Sequence, residues 1–184
     1  MKKVAICVLG TDRPGIVAAV SRILFENRCN IEDVAQTILQ TEFTGIFIAS
    51  IPEHLRSEDL SAQLEGDIDS LGLRLLLKPL EASVQETEPP TCEPFVITTR
   101  GPDRLGLVSG MTEVIAGFGV NITNLRAAFR GGDDPSQNTM IYEVDVPVDI
   151  DRQSFRQALG DRAKDLGLEL SLQHREIFEA LHSI

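Results

Sequence analysis

The chain has 184 residues, 42% of them hydrophobic, which is enough for one medium-sized domain or two small ones. Its 28 acidic residues outnumber its 17 basic ones, giving a formal net charge of -11, and no stretch rich in lysine and arginine could neutralise a phosphate backbone. Composition therefore argues against direct nucleic-acid binding.

Membrane insertion and disulfide chemistry are not indicated either. No apolar stretch reaches the roughly 20 residues of a membrane helix, and the short apolar run after Met1 is broken at Gly10, which argues against a signal peptide. Three widely spaced cysteines (Cys7, Cys29 and Cys92) suggest neither a disulfide framework nor a zinc site. We expect a soluble cytoplasmic protein without metal or cofactor.

Hydrophobic periodicity predicts six elements in the first half of the chain. A strand from Lys3 to Leu9 precedes an amphipathic helix that ends near Cys29. Residues 31–39 and 45–51 form a predicted hairpin, and after a second helix a last strand runs from Leu73 to Leu80. The apolar faces of the two helices hold Ile16, Val20, Ile23 and Leu24, and then Leu60, Leu64, Ile68 and Leu71.

The second half repeats this order. The stretch GTDRPGIV, Gly10 to Val17, returns as GPDRLGLV, Gly101 to Val108, at an offset of 91 residues that also pairs Asn30 with Asn121. The offset later becomes 95, because four extra residues fall in the turn-rich loop 131–138. Strands are predicted at 95–99, 122–130, 139–146 and 168–174. The helix faces are Leu107, Met111, Val114 and Ile115, and then Phe155, Leu159, Ala163 and Leu166.

The order βαββαβ, present twice, predicts an α+β fold of two tandem ferredoxin-like domains. Each would be an antiparallel sheet with both helices on one face, because each helix offers a single apolar stripe and the sheet needs a cover. The predicted domains are residues 1–80 and 95–176. A linker at 81–94, with three prolines and several acids, separates them, and a tail at 177–184 follows.

The repeated turn between the first strand and first helix of each copy is the candidate binding site. Backbone N–H groups in the first turn of a helix lack intrahelical acceptors and favour a small anion such as a carboxylate. Gly15 and Gly106 would permit close approach of a ligand. Asp12 and Asp103 would hold a ligand ammonium group, and the two features together suit an α-amino acid.

Each of these residues also has a structural interpretation. An aspartate before a helix is a common N-cap, and Pro14 is favourable in a first helical turn. Arg13 and Arg104 are expected to be solvated or paired with an acid. Asn30 and Asn121, where a helix hands over to a strand, serve either as turn residues or as amide donors and acceptors for a ligand.

The motif Asp-Arg-Pro-Gly-Ile-Val at 12–17, then a helix and Asn30-Ile31, resembles the ACT domain, a small βαββαβ regulatory module that binds amino acids. Two copies with little else resemble the glycine cleavage system transcriptional repressor family. The resemblance implies ligands between modules, against the turn and the neighbouring strand. It also implies a protein partner, a transcription activator of glycine cleavage genes. The candidate ligand-binding residues are Asp12, Arg13, Gly15, Asn30, Asp103, Arg104, Gly106 and Asn121.

The two copies are not identical, since Leu105 replaces Pro14 and Pro102 precedes Asp103. These differences leave open whether one or both turns bind a ligand.

No catalytic constellation is apparent, because the three histidines lie outside the repeated motifs and neither a P-loop nor a G-x-G-x-x-G motif occurs. The leading hypothesis is a non-enzymatic regulatory protein that senses a small amino acid and acts on a protein partner. A ligand-free module that forms homodimers through its sheet edges is the alternative. A third hypothesis is an enzyme with Asp12 or Asp103 as its general base.

Overall fold

The computed structural model describes residues 2–80, 90–128 and 138–182. The chain divides into two compact units, Met1–Thr87 and Glu88–Ile184, called here the first and second units. Each unit contains the predicted βαββαβ order, which confirms the α+β class and the tandem ferredoxin-like fold. No helix among the described residues is long and apolar enough to cross a membrane.

The first unit is a four-stranded antiparallel sheet of order β2-β3-β1-β4 with two helices. Its elements are β1 (Lys2–Thr11), α1 (Ile16–Glu26), β2 (Asn30–Leu39), β3 (Glu42–Ile51), α2 (Ser57–Asp69) and β4 (Arg74–Leu80).

The second unit has the equivalent sheet order β6-β7-β5-β8, also antiparallel. Its elements are β5 (Cys92–Gly101), α3 (Leu107–Gly117), β6 (Asn121–Ala128), β7 (Asn138–Pro147), α4 (Arg152–Asp165), β8 (Glu169–His174) and α5 (Arg175–His182).

The core of each unit lies between the helices and one face of the sheet. In β1, alternation places Val4, Ile6 and Val8 on the helix side, where they are fully buried. The apolar helix faces are buried as predicted, except that Leu71, Val114 and Leu166 at their margins are partly buried.

The limits of several elements differ from the sequence prediction; β3, for example, begins at Glu42 and α1 ends at Glu26. β1 continues through Gly10 and Thr11, which pair with Phe43 and Glu42, so part of the repeated turn belongs to a strand. β5 runs from Cys92 to Gly101 and so begins three residues before the predicted strand at 95–99. Pro94 lies in the part of β5 that pairs with β7 alone, because pairing with β8 begins at Phe95.

The C-terminal segment predicted as a tail at 177–184 instead forms α5 as far as His182, and residues 183 and 184 lie outside the described residues. α5 packs against β5 and β8. Arg175 extends towards Glu143 (3.7 Å) and Asp145 (3.8 Å), which alternate with helix-facing residues of β7 and so lie on the opposite sheet face.

The prediction for residues 81–89 of the linker and for most of the loop 131–138 lies outside the described residues. The domain limits 1–80 and 95–176 stay predictions.

Candidate functional site: the repeated turns

The glycine that precedes the first helix sets the shape of each turn. Gly15 has φ 98° and ψ -6°, and Gly106 has φ 87° and ψ 2°, a left-handed conformation that L side chains rarely adopt. A Cβ at either glycine would meet nothing within 4 Å. The described atoms therefore show no close approach at these positions, and glycine is required by the backbone angle. The two turns share this shape although Leu105 replaces Pro14.

The aspartates do not cap the helices, so that structural interpretation is wrong. Gly15 and Gly106 occupy the N-cap positions, and no side chain caps either helix. Pro14 precedes α1 rather than lying in its first turn. The carbonyl of Gly15 accepts from Ala19 N–H (2.9 Å), and that of Gly106 from Gly110 N–H (2.8 Å). Within the described residues, no acceptor is found for the amides of residues 16–18 and 107–109, which leaves three N–H groups at each turn to bind an anion.

A pocket of about 210 Å³, the turn pocket, lies at the start of α1. Its lining residues are Asp12, Arg13, Gly15, Ile16, Val17, Ala18, Gln36 and Phe43. The exposed carboxylate of Asp12 and the free N–H groups of α1 therefore border the same volume. The backbone N–H of Asp12 donates to Thr41 O (2.7 Å), which ties the turn to the β2–β3 hairpin.

Gln36 and Phe43 are pocket residues that the sequence does not reveal. They come from β2 and β3, and strand pairing brings them to the end of β1. Their counterparts by the repeat offsets are Ala127 and Asn138. A search for residues common to both copies could not have found them.

The two arginines are exposed to solvent, and within the described residues each donates to a backbone carbonyl rather than pairing with an acid. Arg13 Nη2 donates to Leu71 O, and Arg104 Nη2 donates to Asp165 O (3.0 Å). Both carbonyls lie at the end of the second helix of the unit, where carbonyl groups lack helical donors. Each arginine therefore joins the turn to the chain entering the last strand.

The first glycine of each motif, Gly10 or Gly101, packs against the same segment of chain before the last strand. A Cβ on Gly101 would lie 2.7 Å from Leu168 Cδ2 and 2.8 Å from Gly167 O, and one on Gly10 would lie 2.6 Å from Leu73 Cδ2. The repeated Leu-Gly-Leu segments thus pack directly against the repeated turns. Within the turns themselves, Asp12 and Asp103 are the repeated polar side chains for which no hydrogen bond or ion pair is found among the described residues.

The two asparagines lie away from the aspartates within their own units. Asn30 pairs with Ser50, which is opposite Lys3 near the start of β1, whereas Asp12 follows the end of that strand. From Lys3 to Thr11 the strand spans roughly 26 Å at about 3.3 Å per residue. Asn121 likewise pairs with Asp145, far from Asp103, and lines a separate depression beside Thr112 and Glu113.

The residues buried beneath the second turn are more polar than those beneath the first. Thr99 and Asn138 stand where the first unit has Val8 and Phe43, and both are fully buried (0% and 1% exposed). Thr99 Oγ1 and Asn138 Nδ2 find no hydrogen-bond partner among the described residues. The two turns therefore share a backbone shape but differ in the chemistry beneath it.

The family can now be assigned. The sequence model of one protein family, the ACT domain, matches residues 2–78 and 93–173, which cover both βαββαβ repeats. The chain belongs to the ACT domain family. It carries two such domains in tandem, called from here the first and second ACT domains, and the family is one of regulatory modules that typically sense ligands. The matched family is not a catalytic one.

Curated relatives of the chain are about one ACT domain long. A UPF0237 protein of Methanosarcina mazei is 35% identical over 95 residues, which is 51% of this chain and 99% of the relative. A UPF0237 protein of Methanococcus maripaludis is 40% identical over 78 residues, 42% of this chain and 83% of the relative.

Two solved structures share the tandem fold. A protein of unknown function from Galdieria sulphuraria has a TM-score of 0.75 at 23% identity, covering 94% of this chain and 98% of that one. A proposed glycine cleavage system transcriptional repressor has a TM-score of 0.64 at 22% identity, covering 94% and 96%. At these identities the similarity concerns the fold.

Proposed function

We propose that this tandem ACT protein is a non-enzymatic, cytoplasmic regulator that senses a small α-amino acid at its repeated turns and acts on a protein partner. The observation that carries the proposal is the turn pocket, in which a carboxylate and unpaired helix N–H groups border one small volume. That ACT domains generally bind small amino acids supports it.

In the proposed complex, the ligand carboxylate accepts hydrogen bonds from the N–H groups of Ile16, Val17 and Ala18. The positive end of the α1 dipole adds to this attraction. The ligand ammonium group donates to the Asp12 carboxylate, a charge-assisted contact. Gln36 and Phe43 then border the ligand side chain.

The proposed signal starts from the hydrogen bonds that join the turn to other elements. Asp12 N–H is bound to the β2–β3 hairpin, and Arg13 to the end of α2. A ligand that binds one arrangement of these elements more tightly than another shifts the population between them, and thereby changes the surface offered to the partner. We propose a transcription activator of glycine cleavage genes as that partner. The analogy is with the proposed glycine cleavage system transcriptional repressor that shares the tandem fold.

Titration calorimetry of the full chain with each of the twenty amino acids tests the sensing step. We expect one of them to bind, and Asp12→Asn to weaken its affinity about tenfold or more, because the charge-assisted contact to the ammonium group is lost. Asp103→Asn reports on the second turn in the same way. Asp149→Asn, a change at an exposed aspartate outside both turns, is the matched control.

Two results would overturn the proposal. One is the absence of heat with every amino acid at millimolar concentration. The other is a bound amino acid whose affinity is the same in the Asp12→Asn, Asp103→Asn and Asp149→Asn proteins.

A ligand-free assembly module is a second candidate, and the edge strand β2 favours it. Val34, Ile38 and Leu39 on this strand are 49%, 51% and 74% exposed. An apolar edge strand can pair with the edge of another copy. Light scattering should then show a dimer that Ile38→Lys disrupts and Leu105→Lys, at a fully exposed site off the edge, does not. A monomer at all concentrations would rule out this candidate.

A further inference from the structure

A second pocket, in the second ACT domain, lies at the opposite end of the sheet from the repeated turn. It has a volume of about 260 Å³ and is formed where the start of α4 covers β5, β7 and β8. Its lining residues are Phe95, Val146, Arg152, Phe155, Arg156 and Leu172. We call it the arginine pocket.

The interior of the arginine pocket is apolar and held in place by aromatic packing. Val146 and Phe155 are buried core residues. The ring of Phe95 meets His174 edge-on, with centroids 5.4 Å apart, and Phe155 packs against Phe118 at 5.2 Å. These contacts restrict both phenylalanine rings, so the pocket offers a preformed surface to an apolar group.

The rim of the pocket is cationic. Arg152 Nη2 binds Glu93 Oε1 at 2.8 Å, and its guanidinium lies 5.9 Å from the centre of the Phe95 ring. Because that bond stabilises the ionised carboxylate, the pKa of Glu93 is lowered and the pair stays charged at neutral pH. Arg156, one turn further along α4, has no acidic partner among the described residues. The three groups together leave one positive charge unmatched.

The same place in the first ACT domain is chemically different. The offset of 95 residues equates Arg152 with Ser57 and Arg156 with Ser61. The depression there is lined by both serines and by Glu58 and Glu65 instead. The shared fold therefore does not need arginines at these positions, and their presence in an acidic chain of net charge -11 is specific to the second domain.

We propose that the arginine pocket binds an amphipathic monoanion, a small carboxylic acid that carries an aromatic or branched aliphatic group and no ammonium group. The apolar group lies against Phe95, Phe155 and Leu172, and the carboxylate accepts hydrogen bonds from Arg156 and from the remaining N–H groups of Arg152. An ammonium group would meet no acidic side chain among the residues that line the pocket, whose two charged side chains are both arginines. The volume admits only a small ligand.

Methyl NMR of the full chain with phenylacetate as the probe tests this proposal. We expect saturable shifts of the Val146 and Leu172 methyl signals, because an aromatic ring bound in the pocket lies beside them. The neutral isostere phenylacetamide and the small anion acetate should each bind at least about tenfold more weakly, since each lacks one of the two required groups. No shift up to about 10 mM phenylacetate, or equal binding of phenylacetamide, would refute the proposal.

Two variants test whether Arg156 supplies the positive charge that binds the ligand carboxylate. Arg156→Gln should weaken phenylacetate binding about tenfold, whereas Lys164→Gln, the same loss of charge near the other end of α4, should leave it unchanged. Equal affinity in both variants would contradict the assigned role of Arg156. Because the probe lacks an ammonium group and the pocket lies at the opposite end of the sheet from the turn of its own domain, the result is independent of amino-acid sensing at that turn.

Discussion

Arg28 has a backbone conformation that its own side chain disfavours. Its φ is 56°, and its counterpart in the second ACT domain, Gly119, has φ 69°. The left-handed conformation costs about 1–2 kcal/mol for a residue with a side chain. Replacing Arg28 by glycine removes this cost, but the greater entropy of glycine in the unfolded chain offsets part of the gain. Arg28→Gly should therefore stabilise the first domain by about 0.5–1 kcal/mol, measured by hydrogen exchange of the β1 amides.

Gly119→Ala is the matched opposite change, and should destabilise the second domain by about 1 kcal/mol because it introduces the same strain. A slower exchange in Gly119→Ala, or a faster one in Arg28→Gly, would show that backbone strain does not decide stability at this junction.

Thr99 buries a hydroxyl group where the first domain has Val8. No described residue accepts or donates to that hydroxyl, and an unsatisfied buried polar group costs about 1–3 kcal/mol. Thr99→Val, nearly identical in shape, should raise the free energy of unfolding of the second domain by about 1 kcal/mol in urea titrations. Val8→Thr should lower that of the first. A loss of stability in Thr99→Val would indicate that the hydroxyl has a partner, such as a bound ligand or buried water.

The contact between the repeated turn and the Leu-Gly-Leu segment is a feature of whole elements, because it fixes the end of the first strand against the start of the last. Gly101→Ala would place a Cβ against the carbonyl oxygen of Gly167, which cannot move aside as a side chain can. We expect a loss of about 1–3 kcal/mol, measured by thermal unfolding. Gly10→Ala should cost less, since its Cβ would lie 3.2 Å from the equivalent carbonyl oxygen, that of Gly72, instead of 2.8 Å.

Gly160→Ala is the control for that change. Gly160 lies inside α4, and a Cβ there would meet nothing within 4 Å. Because alanine favours the helix, this variant should gain up to about 1 kcal/mol. A Gly101→Ala protein as stable as the Gly160→Ala protein would mean that the strand and turn can separate without cost.

The sequence predicts the elements whose signals are local. Buried helix positions such as Val20 and Met111 follow from a period of 3.6 residues, and the turn glycines follow from the repeat. α5 escaped prediction because it is short, follows β8 without a break and has no counterpart in the first copy, although its eight residues are amphipathic. The extra length of β1 escaped too, since pairing with β3 rather than composition extends it.

The candidate site shows the same division. Asp12 and Gly15 were found from the motif, but Gln36 reaches the pocket only through strand pairing. The role of Arg13 depends on a carbonyl 58 residues away in sequence. Such contacts leave no trace in local sequence patterns, so the sequence could identify the turn but not which repeated residues hold it together.

At the scale of the whole molecule, charge makes the stability of the folded state depend on pH through two opposing effects. The net charge of -11 at pH 7 destabilises the folded state by repulsion, which weakens as the pH falls towards the isoelectric point of about 4.7. In the other direction, hydrogen bonds and nearby cations lower the pKa values of Glu32 and Glu93, and hydrogen bonds at the start of α4 lower that of Asp151. Each of these carboxylates stabilises the fold above its unfolded pKa, and that contribution is lost as the pH falls through the lower folded value.

The urea midpoint of the chain should therefore rise from pH 7 towards pH 5 and fall again below about pH 4.5, where the three carboxylates become protonated. Added salt should raise the midpoint at pH 7, where it screens repulsion, and have less effect near pH 5. Asp151→Asn keeps a side chain that can cap α4 but cannot titrate, so its midpoint should fall less steeply in acid. If the urea midpoint of Asp151→Asn falls in acid as steeply as that of the unmodified chain, the Asp151 carboxylate contributes nothing to the acid sensitivity of the fold.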